Sequence, residues 1–354
     1  MTTIKLGDVA TEVKSSNKGD KTGCKIVGLE HLTPSDVTLS AWSDDTNNSF
    51  TKEFSKGDVL FGRRRAYLKK AAVAPFDGIC SGDITVIRAK EGKVIPQLLP
   101  FIIQNDFLFD YAVEKSAGSL SPRVKWEHLK NFEIILPDME KQKQLADTLW
   151  SINQTKQAYL ALIKQTDELV KSQFIEMFGR IDENRFPQKQ WKDVVTIQNG
   201  KDHKKISGEG PYGVYGTGGR MLDCSEYMCE PGTIIMGRKG TIDNPYMVDE
   251  RCWIVDTAFG VNPKVEDLNP IYLYYYTKLI DYSALNKAAV LPSVTKSDLL
   301  ELWIGMPEIE LQDAFEQLYR QSDKSKFELQ DAIDNLDALS KKIIAENLIA
   351  AGKE

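Results

Sequence analysis

The sequence predicts an α+β protein built from two tandem domains of one design, each followed by a long helix, with the two helices packed on each other. Three observations predict this: a gapless internal repeat, two long apolar stripes at helical spacing, and a strand-rich, glycine-punctuated texture before each stripe.

The repeat comes first because it sets the domain count. From Pro122 the chain reads PRVKWEHLKNFEIILPDMEKQ, and from Pro292 it reads PSVTKSDLLELWIGMPEIELQ. Seven of the 21 positions are identical: Pro122, Val124, Leu129, Ile134, Pro137, Glu140 and Gln142 match Pro292, Val294, Leu299, Ile304, Pro307, Glu310 and Gln312. A period this long excludes a solenoid and implies a duplicated domain. Weaker echoes support it, with LGDVA at 6–10 against WKDVV at 191–195 and KGDVLFGRRR at 56–65 against PGTIIMGRKG at 231–240.

After each copy the pattern turns helical. Leu145, Leu149, Ile152, Lys156, Tyr159, Ile163, Thr166, Val170, Gln173 and Met177 recur in steps of four and three, as do Phe315, Tyr319, Ser322, Lys326, Leu329, Ile333, Leu336, Ser340 and Ile343. A repeat of 3.5 residues is the signature of a helix that pairs with another helix. Leu149, Ile152, Ile163 and Val170 on the first stripe, and Tyr319, Leu329, Ile333 and Leu336 on the second, are the predicted packing residues. Lys156 and Lys326 break the two stripes at equivalent positions. Forty residues at 1.5 Å each would make a helix about 60 Å long, more than a small domain needs. Before the stripes, short β-type runs are predicted at 58–61, 84–88, 233–236 and 253–255, and helices at 96–111 and 270–282.

Composition narrows the class. An apolar share of 42% and a charged share of 27% are those of an ordinary soluble globular protein. No apolar run approaches the roughly 20 residues of a membrane span and the start has no signal-peptide core, so a cytoplasmic protein without a membrane partner is expected. The five cysteines, Cys24, Cys80, Cys224, Cys229 and Cys252, supply no second pair to complete a zinc site and read as reduced thiols. The net charge of −6 is unevenly spread: residues 306–354 carry 11 acidic and 6 basic groups, while residues 1–135 carry 17 acidic and 19 basic. A local basic face is therefore not excluded.

Several motifs invite a catalytic reading that their contexts do not support. Gly208–Gly213 fits G-x-G-x-x-G, but neither the preceding KDHKKIS nor the following YGTGG frames it between a strand and a helix, as a dinucleotide site requires. Asp243-Asn244-Pro245-Tyr246 resembles the Asn-Pro-Pro-Tyr of adenine-methylating enzymes but lacks the second proline and a cofactor loop, and reads as a turn. Asp77 with Glu91 and Lys93 fits the degenerate Asp…Glu-x-Lys pattern of magnesium-dependent nucleases. Phosphate-loop, zinc-protease and nucleophile-elbow motifs are missing.

The basic clusters are more informative. Gly62–Lys70 holds five cations and one aromatic in nine residues, directly after a predicted strand: Arg63, Arg64, Arg65, Tyr67, Lys69 and Lys70. Arginine's planar fork suits guanine edges and phosphates, and several arginines together are costly to bury unpaired. The matching turn in the second half holds Arg238 and Lys239 between glycines, followed by Thr241. Recurrence at matched positions favours a binding loop over a solvated turn. Lys201, His203, Lys204, Lys205, Tyr215 and Arg220 in the second half, and Ser119, Ser121 and Arg123 opposite the segment holding Ser293, Thr295 and Lys296, complete the candidate nucleic-acid contacts.

This layout resembles the specificity subunit of type I restriction-modification systems. The likeness rests on the opening of each half (Leu6, Asp8, Val9; Trp191, Asp193, Val194), the G-R-K-G-T-I turn at 237–242, and I-x-x-P-x-x-E-x-Q at 134–142 and 304–312. Departures are Arg63-Arg64-Arg65 in place of Arg-Lys-Gly and Asp243 where glycine is usual. The resemblance implies two tandem α/β target recognition domains, 1–137 and 186–307, in pseudo-two-fold arrangement, separated by two long antiparallel coiled-coil helices at 138–185 and 308–354. It implies that each domain reads one half of a split site in double-stranded DNA. It further implies that two methyltransferase subunits carrying S-adenosylmethionine dock on the chain, which binds no cofactor and has no catalytic site of its own, and that restriction motor-nuclease subunits join the complex. The rival readings are a nuclease built on Asp77, Glu91 and Lys93, and a two-headed protein-binding scaffold.

Overall fold

Two helices of 40 residues, Met139–Phe178 and Ile309–Leu348, organise the chain in a computed structural model that describes residues 2–285 and 292–349. Residues 286–291 of the second domain segment and 350–354 of the last helical segment lie outside the described residues. Compact packing divides the chain into residues 1–161 with 329–354, and residues 162–328. That division cuts both long helices instead of following their ends, because each unit buries one end of each helix in its own core.

In the first unit the strand Val59–Gly62 is buried at every position and lies between Ile84–Ala89 and Ala71–Val73, with Ala10–Glu12 at the far edge. Val59, Phe61 and Ile87 face a core with Phe101 and Phe109, while Leu60, Ile84 and Val86 face a second with Leu32, Leu39 and Phe54. A sheet covered on both faces needs continuous apolar runs, which the sequence shows there. A smaller sheet joins Lys25–Val27, Gly78–Cys80 and Lys52–Phe54, and Thr2–Lys5 pairs with Glu133–Leu136, the strand that leads into the first long helix. The helix expected over 96–111 is instead two helices, Leu99–Ile103 and Asp106–Glu114. Asn105 causes the break: its backbone is extended and its side chain accepts the Leu108 N–H at 2.8 Å, starting a new helix.

The second unit repeats the plan. Thr233–Gly237 lies between Ala258–Pro263 and Tyr246–Val248, with Val195–Asn199 at the far edge, in the same strand order as the first unit. Ser207–Gly216 joins Gly219–Cys224 and Cys252–Ile254, and Gln188–Gln190 pairs with Trp303–Gly305 before the second long helix. The helix Pro270–Leu279 is capped by Asn269, whose side chain accepts the Ile271 N–H at 2.8 Å.

The helices meet within each unit. In the first, Leu145, Ala146 and Leu149 share a core with Ile344 and Leu348, and Lys156 donates to both Asp337 oxygens at 2.8 Å. In the second, Lys326 donates to Asp167 at 2.9 Å, and Phe174 and Phe178 pack on Phe315 at 5.1 and 5.7 Å between ring centroids. Contacts advance along one helix as they retreat along the other, so the pair is antiparallel in each unit. Of the predicted packing residues, Leu149, Val170 and Ile333 are buried, and Ile152, Ile163, Tyr319, Leu329 and Leu336 are half-buried on the seam. Both stripe-breaking lysines reach across to aspartate. In the register that aligns Pro122 with Pro292, Lys156 matches Lys326 and Asp167 matches Asp337, so one cross-helix pair occurs twice with the helices' roles exchanged.

Packing between the helices and their domains differs between units. In the second, Tyr274 packs on Tyr319 at 6.0 Å and Tyr275 on Phe315 at 5.2 Å. The first unit has Leu145 and Leu149 where the second helix has Phe315 and Tyr319, and there an open cavity of about 140 Å³ remains between Phe101, Asn105, Leu149, Asn153 and Ile344.

The repeated glutamine fastens each helix to its domain. Gln142, 2% exposed, accepts the Ile95 N–H at 3.0 Å and donates to the Pro137 carbonyl at 2.8 Å. Gln312, fully buried, accepts the Asn269 N–H at 2.9 Å and donates to the Asp267 and Pro307 carbonyls at 3.0 and 2.8 Å. Replacing either by leucine strands buried backbone groups. In urea unfolding we expect Gln142→Leu to lose about 2 kcal/mol and Gln312→Leu, which frees one more carbonyl, to lose more.

Candidate nucleic-acid interface

The loop Gly62–Lys70 leaves the buried strand Val59–Gly62 and is held by main-chain bonds. Arg63 N–H donates to Asp83 O at 3.0 Å, Arg65 N–H to Pro122 O at 2.8 Å, and Val124 N–H to Arg63 O at 3.0 Å. The segment it meets is itself folded back, since Ala117 and Arg123 exchange backbone bonds at 3.1 and 2.9 Å around Gly118, whose φ is 113°. The second unit repeats the scaffold: Arg238 N–H donates to Thr257 O at 2.8 Å, Gly240 N–H to Pro292 O at 3.0 Å, and Val294 N–H to Arg238 O at 3.0 Å. Gly237 is required there, because a Cβ on it would lie 2.0 Å from the Thr241 carbonyl. Thus the segment just before each repeated strand buttresses a basic turn.

Not every cation on the turns is free to meet a ligand. Lys69 is paired with Asp106 at 2.6 Å, which also meets Lys341 at 3.2 Å. That bond to Asp106 raises the Lys69 ammonium above its ordinary pKa. Lys70 donates to the Leu29 carbonyl at 2.8 Å and Lys296 to the Ile197 carbonyl at 2.6 Å. Lys70 and Lys296 thus anchor the fold through main-chain carbonyls, and Lys69 is engaged by an exposed ion pair. Arg65 and Tyr67 are exposed, and Arg65 and Lys69 adopt left-handed φ of 55° and 51°, a conformation that costs a non-glycine residue about 1 kcal/mol or more. Such strain is held in place by the surrounding bonds and is typical of functional loops. Arg63 is half-buried, its Nε without a hydrogen-bond partner.

Arg64 and Arg123 converge on one carboxylate. Arg123 donates from Nε to Asp83 Oδ1 at 2.7 Å and from one terminal nitrogen to Oδ2 at 3.3 Å, while Arg64 reaches Oδ2 at 3.4 Å and Ser121 Oγ at 3.1 Å. The hydrogen bond from Arg123, and then the charges of both arginines, hold the Asp83 carboxyl below the usual carboxylate range. Asp83 carried no sequence signal, since a lone aspartate in a Ser-Gly-Asp turn is unremarkable and its partners lie 19 and 40 residues away. Ser119 sits exposed in the folded-back segment.

In the second unit Lys239 and Thr241 are exposed, and Arg238 lies 5.9 Å from the Phe259 ring while donating to the Asp256 carbonyl at 3.4 Å. Lys201, Lys204 and Lys205 are exposed on the neighbouring loop. That loop is tied to the 254–258 turn on which Arg238 also rests, with Gly200 N–H donating to Ala258 O at 3.1 Å and Lys201 N–H to Ile254 O at 2.9 Å. His203 is half-buried, its Nδ1 unpartnered. Tyr215 donates to Glu250 at 2.6 Å, and burial together with this carboxylate pushes its phenol up to about 12. Arg220 pairs with Asp223 at 2.6 Å and lies 3.7 Å from Glu250, so this corner holds two carboxylates to one guanidinium.

The rival motifs sit in ordinary strand and turn backbone. Gly208–Gly213 lies inside the strand Ser207–Gly216, where no helix follows. Asp77 accepts the Lys56 N–H at 2.7 Å, and Glu91 and Lys93 are exposed in a turn. Among the described residues no cluster of three or more His, Cys, Asp or Glu side chains could hold a metal, and no helix is long and apolar enough to cross a membrane.

A duplicated sheet presenting a buttressed basic turn, joined to an antiparallel helix pair, defines a class of two-domain recognition proteins. The chain belongs to the type I restriction modification DNA specificity domain family, which it matches over residues 1–166 and again over 185–346. It is 22% identical to a putative type I restriction enzyme MjaX specificity subunit of Methanocaldococcus jannaschii, over 94% of this chain and 88% of that one. It is also 24% identical to the EcoDI specificity subunit of Escherichia coli, over 40% of this chain and 31% of that one. The fold matches a type I restriction-modification S subunit from M. genitalium with a TM-score of 0.58 at 15% identity, covering 97% and 95% of the two chains. A chain solved in work on assembly and conformational transition of the type I system matches with a TM-score of 0.57 at 19% identity, covering 98% and 97%. The chain is a type I specificity subunit with two recognition domains.

The division of cations makes a prediction for its DNA binding. Arg65→Ala should weaken binding and lower the slope of log affinity against log salt by about one, whereas Lys70→Gln should leave that slope unchanged and lower the thermal midpoint. Fluorescence anisotropy across a salt series, with a melting curve for each variant, checks both.

Proposed function

We propose that each recognition domain reads one half of a split site in double-stranded DNA, the first through Arg63, Arg64, Arg65, Tyr67 and Arg123, the second through Arg238, Lys239, Thr241 and the Lys201–Lys205 loop. The carrying observation is the recurrence of one main-chain scaffold under a basic turn in both units, with different side chains mounted on it. Phosphate contacts by lysine and arginine supply affinity, and side chains at base edges supply discrimination. Two modification subunits that carry S-adenosylmethionine dock on this chain and methylate adenine, and restriction motor-nuclease subunits join them. The chain contributes recognition and no catalytic centre, binds no cofactor itself, and works in the cytoplasm where the DNA is.

Co-expression with its methyltransferase partner, followed by mapping of modified adenines, tests this reading. One split motif should appear only when the chain is present. Arg64→Ala should relax one half of that motif and leave the other intact; relaxation of both halves together would rule out one domain per half-site.

A further inference from the structure

We propose that Asp83 determines specificity in the first domain: by gripping Arg64 and Arg123 together it presents a preset pair of guanidinium groups to a base edge with two adjacent acceptors, the O6 and N7 of a guanine. The proposal rests on reading this loop as DNA-facing, and it adds a residue that lies outside the basic turn in sequence.

The geometry suits positioning better than support. Exposed ion pairs contribute little to stability. Here the Arg64 and Arg123 side chains remain 38% and 43% exposed while the Asp83 side chain is 21% exposed. The loop does not need the carboxylate to stay in place, because the backbone bonds of Arg63, Arg65 and Val124 already hold it. What Asp83 adds is a fixed orientation for two otherwise mobile side chains. A guanidinium carries five N–H donors; Arg64 spends one on each terminal nitrogen and buries its Nε, and Arg123 spends Nε and one on each terminal nitrogen, so every terminal nitrogen keeps a second N–H. Groups already ordered lose less freedom when they bind, so the contact is gained at lower entropic cost. The carboxylate also opposes loose binding, since its negative charge disfavours a phosphate that approaches without the base contact that engages the arginines.

The second unit shows that this clamp belongs to the first domain and not to the shared scaffold. The main-chain equivalent of Asp83 is Thr257, which accepts from Arg238 as Asp83 accepts from Arg63, and Ser293 takes the place of Arg123 in the repeat. The Arg64, Asp83 and Arg123 set of the first domain corresponds to Lys239, Thr257 and Ser293 in the second. The two domains thus share the frame and differ at the positions where readout would differ.

The test uses the full chain with its modification subunits. Affinity is measured for a duplex carrying the cognate site and for one with the first half-site scrambled, and methylated motifs are mapped in parallel. Asp83→Asn should cut the cognate-to-scrambled ratio about tenfold or more, relax one guanine position of the first half-site, and leave the second unchanged. Asp83→Glu should recover much of the ratio. Asp83→Thr, which borrows the second domain's residue, provides the same reading should the asparagine variant misfold, and melting curves monitor both. An unchanged ratio, or relaxation only at positions other than guanine, overturns the proposal. If Arg65→Ala and Arg123→Ala also leave DNA binding untouched, the DNA-facing reading of the loop falls with it; if they weaken binding while Asp83→Asn does not, only the role of Asp83 falls.

Discussion

A buried glutamine at the start of each long helix, bonded on one side to the proline carbonyl that precedes the helix and on the other to the backbone of the domain, joins a recognition domain to its helix. A carboxamide can serve both as acceptor and donor, and in a dry site neither bond can be exchanged for water, so the junction has one geometry. The strand pairs Thr2–Lys5 with Glu133–Leu136 and Gln188–Gln190 with Trp303–Gly305 close each domain immediately before that junction. The strand, the proline and the glutamine therefore act as one stiff connection, which accounts for their joint repetition in the sequence.

The same connection reaches the basic turns. Val124 and Val294, a few residues upstream of the repeated strands, donate their N–H groups to the carbonyls of Arg63 and Arg238. A recognition turn is thereby bonded to the segment that continues into the helix. Side-chain identity on the turn can vary without disturbing these main-chain bonds, which is what a family that changes its target needs. The glycine at 237 belongs to the frame, since any Cβ there would collide with the turn.

On the helices, the stripe-breaking lysines resolve into cross-helix pairs with aspartates. An apolar residue at Lys156 or Lys326 would pack as well, but a charge paired with one aspartate also fixes register, the best-attested use of a polar group in a helical seam. The units differ in how helix meets domain: aromatic rings fill the second, where the first has Leu145 and Leu149 on its helix and an open cavity. Duplicated sequence has preserved the frame while the packing around it diverged.

What the sequence by itself determined is the part written in local pattern. The duplication, the 3.5-residue stripes, the buried strands at 58–61, 84–88 and 233–236, and the basic turns after two of them all depend on residue spacing, and neighbours in sequence remain neighbours in a helix or strand. Tertiary structure alone decided which cations are available. Lys69, Lys70 and Lys296 carry the same charge as Lys239 but end on Asp106, the Leu29 carbonyl and the Ile197 carbonyl, partners 37, 41 and 99 residues away. It also decided that Asp83 would clamp two arginines, that Asn105 would split one predicted helix, and that the compact units would cut through the long helices. Charge pairing and burial act between whatever groups folding brings within a few ångströms, and chain distance carries no record of that.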